Sequence, residues 1–366
     1  MQKRFLLLVF VLLLSYADDL SWVWQNPYPQ GNKIVDVYAI NENIVFAVDR
    51  EAGTILKSTD GGLIWMITWV SNPNNQWGYS ALMSIDFPDS MTGYAVGEQI
   101  LKTTNQGLTW FRLTSSNVSG GNCVDFPPGN NQIGYIGSGA QIAKTIDGGQ
   151  TWNLQNTGTN RSITAIHFPV DADTGYAVGG YGAASYPLLL RTTNGGNEWI
   201  TIPSPVDSIH YESVYFVNNR IGYACGYNLP YGLKGRIIKT TNAGISWSVI
   251  YSSSNREIYS VCFLDSQTGY AGGWDGTSGK SFIMKTTNGG TSWNTVLLPK
   301  KMNYNLPLSI VNYQIGYAGG WVFVANGGPG QLLKTTDGGA TWNFLNRGTE
   351  VDFYAIDFPE TDQVGY

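Results

Sequence analysis

Three aspartates and one histidine of this 366-residue sequence recur at a spacing that would suit acid–base chemistry. Asp86, Asp125, His167 and Asp357 occupy the same place in successive sequence repeats, each shortly before a Gly-Tyr pair. Carboxylates that face one another, or a carboxylate beside an imidazole, act as general acid and base or hold a cation. A structural role between neighbouring repeats is the alternative, because other repeats hold unrelated residue types at this place. These are Tyr215, Cys262 and Ser309.

A second candidate surface consists of aromatic residues in glycine-rich segments between the regular elements. Rings that loops present on a rigid scaffold stack on sugar faces or grip peptides. We therefore predict a binding rim for a protein or polysaccharide ligand, the alternative being that these rings fold back onto the scaffold. The rim residues are Trp69, Trp77, Tyr181, Tyr186, Tyr227, Tyr231, Trp274, Trp321 and Phe323.

The elements that must position these residues are repeats. A nine-residue motif, KTTDGGATW at residues 334–342, occurs seven times, with its tryptophans 42 to 49 residues apart. A period in this range indicates units that bury their apolar faces against neighbouring units. A Gly-Tyr pair recurs in phase with the motif, which makes chance similarity implausible. The motif tryptophans are Trp65, Trp110, Trp152, Trp199, Trp247, Trp293 and Trp342.

Each unit contains four short apolar stretches separated by turn residues, which predicts four strands, A to D from the centre outward. In the third complete unit we expect them at 164–168, 175–179, 188–192 and 199–202. Four strands per unit of about 45 residues make one blade of an all-β β-propeller. Residues 21–26 read as a strand D and 351–366 as strands A and B. These terminal pieces could share a composite blade, so the sequence allows seven or eight blades.

The motif itself is predicted to be the turn between strands C and D. Its Asp or Asn accepts backbone hydrogen bonds from about two residues on, and the glycine that follows supplies a positive φ. A catalytic or Ca²⁺-binding role is disfavoured because four of the seven residues are Asn. We expect the tryptophan to wedge between sheets. We expect the basic residue before the turn to lie along strand C with its charged group in water, the alternative being a docking surface for an acidic partner. The turn residues are Asp60, Asn105, Asp147, Asn194, Asn242, Asn288 and Asp337.

This pattern, Ser/Thr-x-Asp/Asn-x-Gly-x-Thr/Ser-Trp, resembles the Asp-box, or BNR, repeat. Together with GYAVG and ILKTT it is similar to the propeller family named after the photosystem II stability and assembly factor, over nearly all of residues 20–366. Ile64 and Glu198 depart from the pattern by replacing its Thr/Ser. The resemblance implies seven blades and a function in assembling or stabilising a membrane protein complex.

The N-terminus reads as a secretory signal over residues 1–17. Lys3 and Arg4 precede ten apolar residues, too few to span a bilayer, and small residues end the segment at Ala17. The propeller domain would occupy 18–366, and because the sequence stops inside a strand pattern we expect a truncated C-terminus. Cleavage would change the net charge from −5 to −7, which disfavours nucleic acid as a partner.

Metal and cofactor sites are not indicated by the sequence. Cys123, Cys225 and Cys262 share no ligand spacing, although Cys225 and Cys262 fall in neighbouring repeats where they could pair. No phosphate loop or nucleophile elbow occurs. We therefore expect no cofactor and no metal.

The leading functional prediction is a secreted, monomeric, non-enzymatic binding or assembly scaffold. The chief alternative is a glycoside hydrolase, because Asp-box propellers also occur in sialidases and xyloglucanases. A sialidase needs an arginine cluster, which nine scattered arginines do not supply. A xyloglucanase-like enzyme needs two carboxylates across an aromatic cleft, for which Asp86, Asp125 and Asp357 are the candidates. A surface adhesion protein is a further alternative, since a fold alone does not decide function.

Overall fold

The computed structural model describes residues 34–40, 44–49, 53–59, 65–71, 81–114, 118, 120–127, 129–180, 186–228, 234–298, 306, 308–310, 312–314, 316–321 and 330–344. Within these ranges the regular structure is entirely β-strand. The strands form seven four-stranded antiparallel sheets, each with its strands in chain order. The predicted all-β propeller of four-stranded blades is confirmed. The terminal pieces at 21–26 and 351–366, on which a composite blade depends, lie outside the described residues.

The first four blades hold strands β1 to β16. Blade 1 contains β1 Ile34–Ala39, β2 Val45–Asp49, β3 Thr54–Ser58 and β4 Trp65–Val70. Blade 2 contains β5 Leu82–Asp86, β6 Gly93–Gly97, β7 Ile100–Thr103 and β8 Phe111–Leu113. Blade 3 contains β9 Cys123–Asp125, β10 Gly134–Ser138, β11 Gln141–Thr145 and β12 Asn153–Gln155. Blade 4 contains β13 Ile163–His167, β14 Gly175–Gly179, β15 Leu188–Thr192 and β16 Ile200–Thr201, within one or two residues of the predicted bounds.

The last three described blades hold strands β17 to β28. Blade 5 contains β17 His210–Phe216, β18 Gly222–Tyr227, β19 Arg236–Thr240 and β20 Ser248–Ser252. Blade 6 contains β21 Arg256–Phe263, β22 Gly269–Asp275, β23 Lys280–Thr286 and β24 Asn294–Leu297. Blade 7 contains β25 Leu308–Ile310, β26 Gly316–Trp321, β27 Gly330–Thr335 and β28 Asn343–Phe344.

We call the side of the A–B and C–D turns the lower face and the side of the B–C and D–A connections the upper face.

Over the described residues the hydrophobic core is divided into six clusters, each lying between two consecutive blades. In one of them Tyr94 and Val96 of blade 2 pack against Phe126, Ile136 and Trp152 of blade 3. A single blade is one sheet thick and has no interior of its own, so its apolar side chains are buried only when a neighbour covers them. Neighbouring blades therefore stabilise each other.

Aromatic rings form the centre of most of these clusters. The Tyr94 ring of blade 2 stacks on Phe126 of blade 3 at 4.3 Å between centroids, and Trp152 meets Phe126 edge to face at 6.3 Å. Offset stacks and edge-to-face pairs are the favoured arrangements of aromatic quadrupoles. The same stacked pair recurs between blades at Phe46–Phe87, Tyr135–Phe168, Tyr176–Phe216 and Tyr223–Phe263.

A threonine hydroxyl at the end of strand C organises the turn motif. Thr145 Oγ1 donates to Asp147 Oδ1 at 2.8 Å and accepts from the backbone N–H of Gly149 at 2.7 Å. Asp147 Oδ1 also accepts from the N–H of Thr151, four residues on, at 2.9 Å. The expected span of about two residues is therefore wrong, because the threonine hydroxyl serves the nearer N–H groups.

Asn and Asp are interchangeable in this turn because their hydroxyl partner can reverse its role. The Thr151 hydroxyl donates to Asp147 Oδ2 at 2.6 Å, whereas Asn288 Nδ2 donates to the Ser292 hydroxyl at 2.9 Å. A hydroxyl is both donor and acceptor, so either side chain closes the same bridge. The second glycine is less replaceable, since Gly149 has φ 82° and a Cβ there would lie 2.6 Å from the Tyr94 ring of the preceding blade.

Thr145→Val is expected to lower the free energy of unfolding by about 2 kcal/mol, because it leaves the buried N–H of Gly149 without its acceptor at nearly unchanged volume. Urea denaturation measures the change. Asn288→Asp is the matched control, expected to change the same quantity by less than about 0.5 kcal/mol. Equal losses in the two variants would contradict this account of the turn.

Candidate functional site

The predicted aromatic rim is partly described, and its described members differ in exposure. Tyr186 is 55% exposed, with the Arg161 guanidinium 5.3 Å from its ring centroid. Trp69 is half-buried against the core cluster between blades 1 and 2, and it donates its indole N–H to the Ser71 hydroxyl at 3.2 Å. Tyr227 and Trp274 are half-buried. Trp77, Tyr181, Tyr231 and Phe323 lie outside the described residues, as does the side chain of Trp321.

The two described candidate acids link successive blades at their inner strands. Asp86 Oδ2 accepts from the backbone N–H of Phe126 at 2.9 Å, and Asp125 Oδ2 accepts from that of Phe168 at 3.0 Å. Burial raises the pKa of Asp86 to about 8, and the negative charge of Asp125 contributes to the rise. Each carboxylate thus accepts from the chain just beyond the inner strand of the next blade, which is a structural role. Asp357 lies outside the described residues.

The inner strands bring His167 close to Asp125. His167 Nδ1 lies 3.8 Å from Asp125 Oδ1, and its ring stacks on Tyr215 at 6.1 Å between centroids. Cys225 and Cys262, which the sequence allowed to pair, are both free thiols and belong to different core clusters.

The basic residues before the turns contact the neighbouring blade. Lys239 Nζ donates to the Gly289 carbonyl of the next blade's turn at 2.8 Å and lies 5.2 Å from the Tyr223 ring centroid. The expectation that these groups lie in water is incomplete, because Lys239 is only half-buried but its ammonium group also donates to a carbonyl of the next blade. Burial lowers the pKa of Lys239. The same donation is made by Lys57, Lys102, Lys144 and Lys285.

A cluster of titratable side chains lies at the upper end of the inner strands of blades 5 and 6. We call it the upper cluster: His210, Glu212, Tyr227, Glu257 and Tyr259. The Tyr227 hydroxyl donates to Glu212, and His210 Nε2 lies 3.4 Å from Glu212 Oε1. The Tyr259 hydroxyl donates to Glu257 Oε2. The Tyr227 and Tyr259 rings meet edge to face at 5.4 Å and join the two halves.

Two strand irregularities position this cluster. The register of β17 against β18 shifts between Tyr211 and Ser213, so Glu212 has no cross-strand partner. The register of β21 against β22 shifts in the same way between Ile258 and Ser260, so Tyr259 lies outside the cross-strand pairs. A bulged residue leaves the regular alternation and is re-aimed. The same shift occurs at the equivalent place of β1, β5 and β13, so the bulge belongs to the repeat and is not by itself a sign of a functional site. The bulges place Glu212 and Tyr259 in one cluster.

Burial controls the charges of the upper cluster. Burial raises the pKa of Glu212 to about 7, the hydrogen bond from Tyr227 opposes this rise, and the charge of Glu257 adds to it. Burial also lowers the pKa of His210 to about 4, so its imidazole is neutral at pH 7. The upper cluster therefore contains no positive charge of its own at neutral pH, while Glu212 is poised between its protonated and ionised forms.

Residues 239–352 match the sequence model of the Photosynthesis system II assembly factor YCF48 family. A structure of YCF48 bound to D1 peptide is similar, with 16% identity and a TM-score of 0.57 over 79% of this chain and 91% of that chain. YCF48 from Cyanidioschyzon merolae is similar at 17% identity, with a TM-score of 0.58 over 80% and 94%. The chain is a β-propeller that is similar to YCF48, in sequence over residues 239–352 and in fold over most of its length.

Enzymes also share this fold. The GH74 xyloglucanase from Xanthomonas campestris is 14% identical to the YCF48-like chain, with a TM-score of 0.63 over 87% of this chain and 55% of the enzyme. At such identities the likeness concerns the fold alone. No curated protein sequence matches the chain. Over its described residues, the YCF48-like propeller has no helix long and apolar enough to cross a membrane, and no group of three or more potential metal ligands.

Apart from Tyr227, which belongs to the predicted rim, the upper cluster of this YCF48-like propeller is the part of the site that sequence reasoning missed. His210 and Glu257 occupy equivalent repeat positions, and so do Glu212 and Tyr259. Equivalent positions hold different residue types, so comparison of the repeats gives no common signal. The rarity of histidine, with 2 in the chain, was the one available cue.

Proposed function

We propose that this protein is a non-enzymatic binding propeller that holds a segment of a partner protein on its upper face and acts in assembling or stabilising that partner. The observation that carries the proposal is the upper cluster. Rigid strands there hold two carboxyl groups and two phenol rings at the face where the connecting segments lie. Preformed polar groups beside aromatic surface are the usual composition of a binding site.

The relatives support a peptide as the ligand class. One solved YCF48 is bound to a D1 peptide. The exposed Tyr186 ring with Arg161 adds amphipathic surface of the kind enriched at protein interfaces. Secretion is a further part of the proposal. It rests on the N-terminal segment 1–17 and is tested by whether the mature chain begins at Asp18.

A library of fluorescein-labelled dodecapeptides, with a D1 peptide included, tests the binding function by fluorescence polarisation. We expect a subset to bind the full chain with a Kd in the micromolar range, about −8 kcal/mol. Tyr186→Ala and Trp274→Ala are expected to weaken that binding. Leu108→Ala, a change at an exposed side chain on the lower face, is the matched control and should leave it unchanged. Failure of every peptide to bind would overturn the proposal.

Hydrolysis of a polysaccharide is the second candidate function, and the fold likeness to a GH74 xyloglucanase is what favours it. Xyloglucan and other plant and microbial polysaccharides are incubated with the protein and assayed for new reducing ends, beside a known hydrolase. We expect no release, because Asp86 and Asp125 are engaged by backbone N–H groups of the next blade. If the protein releases reducing ends, and Asp86→Asn or Asp125→Asn abolishes that release, an enzymatic function would replace the binding proposal.

A further inference from the structure

We propose that the upper cluster binds a cationic group of the partner segment, a lysine or arginine side chain, with Glu212 as its counter-ion. This inference rests on the proposed peptide-binding function and specifies the chemistry that the bound segment must carry. It concerns a site that neither the repeats nor the turn motif indicate.

Accessibility within the upper cluster singles out Glu212. Its side chain is 25% exposed, whereas the side chain of His210 is 7% exposed. Glu257 and Tyr259 are buried as well. Glu212 is therefore the one acidic side chain of the cluster that both contacts other members and is partly exposed. A ligand that approaches the upper face would meet this group.

Among the described residues, Glu212 has hydrogen-bonding neighbours but no lysine or arginine within ion-pair distance. Tyr227 donates to it, His210 is neutral at pH 7, and Glu257 adds negative charge. The cation closest along the chain to Glu257 is Arg256, which is committed to Asp275 at 2.8 Å and lies over the Phe282 ring at 4.7 Å. A carboxylate removed from water is stabilised when a cation pairs with it.

The aromatic part of the cluster favours a cation over a neutral donor. The Tyr227 and Tyr259 rings border the carboxyl groups, and Trp274 is the cross-strand partner of Glu257. Aromatic faces attract ammonium and guanidinium groups through the ring quadrupole. Carboxylate and ring together discriminate a lysine or arginine side chain from a glutamine of similar length.

The proposal requires binding to strengthen as pH rises through about 7, because the cation pairs with ionised Glu212 and binding then releases a proton. The strands packed around Glu212 carry further titratable or charged groups. On its own strand lie His210, Tyr211 and Tyr215; β18 contributes Tyr223, Cys225 and Tyr227; β21 contributes Arg256, Glu257, Tyr259 and Cys262; β13 contributes His167; and β14 contributes Tyr176.

The experiment is a positional scan of the dodecapeptides that bind, in which each position in turn is Lys, Arg, Gln or Glu. One position is expected to prefer Lys or Arg over Gln by about tenfold, the effect of a charge-assisted contact. Glu212→Gln should abolish that preference while keeping the fold, which thermal unfolding checks. Glu98→Gln is the matched control, since it removes an exposed carboxyl from an upper-face loop of blade 2 and should leave the preference intact.

A second variant keeps the test decisive if Glu212→Gln disturbs folding. Tyr227→Phe removes the hydroxyl that stabilises ionised Glu212, so the pH midpoint of the Lys/Arg preference should rise. Peptides that bind without a basic preference, or a preference that survives Glu212→Gln, would overturn this inference and leave the binding function standing. A complete absence of peptide binding would overturn the binding function and this inference together.

Discussion

Tyr135→Ala is expected to lower the free energy of unfolding by about 3–5 kcal/mol, the range found when a large buried ring is truncated. Tyr135 is fully buried, stacks on Phe168 of the next blade at 3.8 Å between centroids and donates its hydroxyl to the Ala172 carbonyl at 2.9 Å. The Lys144 ammonium lies 5.7 Å from its ring centroid. The substitution opens a cavity between two blades and removes the ring stack, the hydrogen bond and the ammonium contact together. Urea denaturation of the full chain measures the loss.

The conservative variant separates the contribution of the ring from that of the hydroxyl. Tyr135→Phe keeps the stack and is expected to cost about 1 kcal/mol, the net value of one hydrogen bond. Leu108→Ala, at a side chain that is 65% exposed, should change the unfolding free energy by less than about 0.5 kcal/mol. If Tyr135→Ala costs no more than Tyr135→Phe, the stacked rings do not hold the blades together.

The fold could be predicted because every blade repeats the same constraints. The Gly-Tyr pair places a ring on strand B, and the turn motif places Trp152 and its equivalents at the start of strand D. A third marker was available: Phe87, Phe126 and Phe168 follow successive inner strands and complete each ring stack. That contact crosses from one blade to the next, so it cannot be assigned by inspecting one unit.

The candidate site was harder to predict from the sequence, because it depends on contacts between different residue types of neighbouring blades. Asp86 and Asp125 were found by their common repeat position, but their backbone partners lie in the following blade. The lysines before the turns were correctly placed on strand C, yet their carbonyl partners again belong to the next blade. The orientation of Glu212 depends on a register shift in β17, and the residue types of that strand do not indicate the shift.

The pKa of Asp86 makes a second large prediction, for stability against pH. The folded chain raises this pKa to about 8, whereas an unfolded aspartate has a pKa of about 3.9. As pH rises above about 4, the unfolded chain loses this proton first, and ionisation then favours the unfolded state. The contribution of Asp86 is therefore most favourable at low pH, declines with rising pH, and levels off above about 8. Glu212, with its pKa raised to about 7, acts in the same direction.

We expect the free energy of unfolding to be about 2–3 kcal/mol lower at pH 8 than at pH 5.5, from the Asp86 carboxyl alone. Asp86→Asn keeps an oxygen that accepts from the Phe126 N–H but carries no charge beside Asp125, so it should remove most of this decline and be more stable than the parent at pH 8. Glu98→Gln, the exposed control, should retain the decline. Urea denaturation at each pH measures it. If the slope of the unfolding free energy against pH is the same in Asp86→Asn as in the parent, the Asp86 carboxyl is ionised at neutral pH. In that case Asp36, Asp86 and Asp125 carry like charges that are stabilised by the backbone N–H groups from which they accept hydrogen bonds.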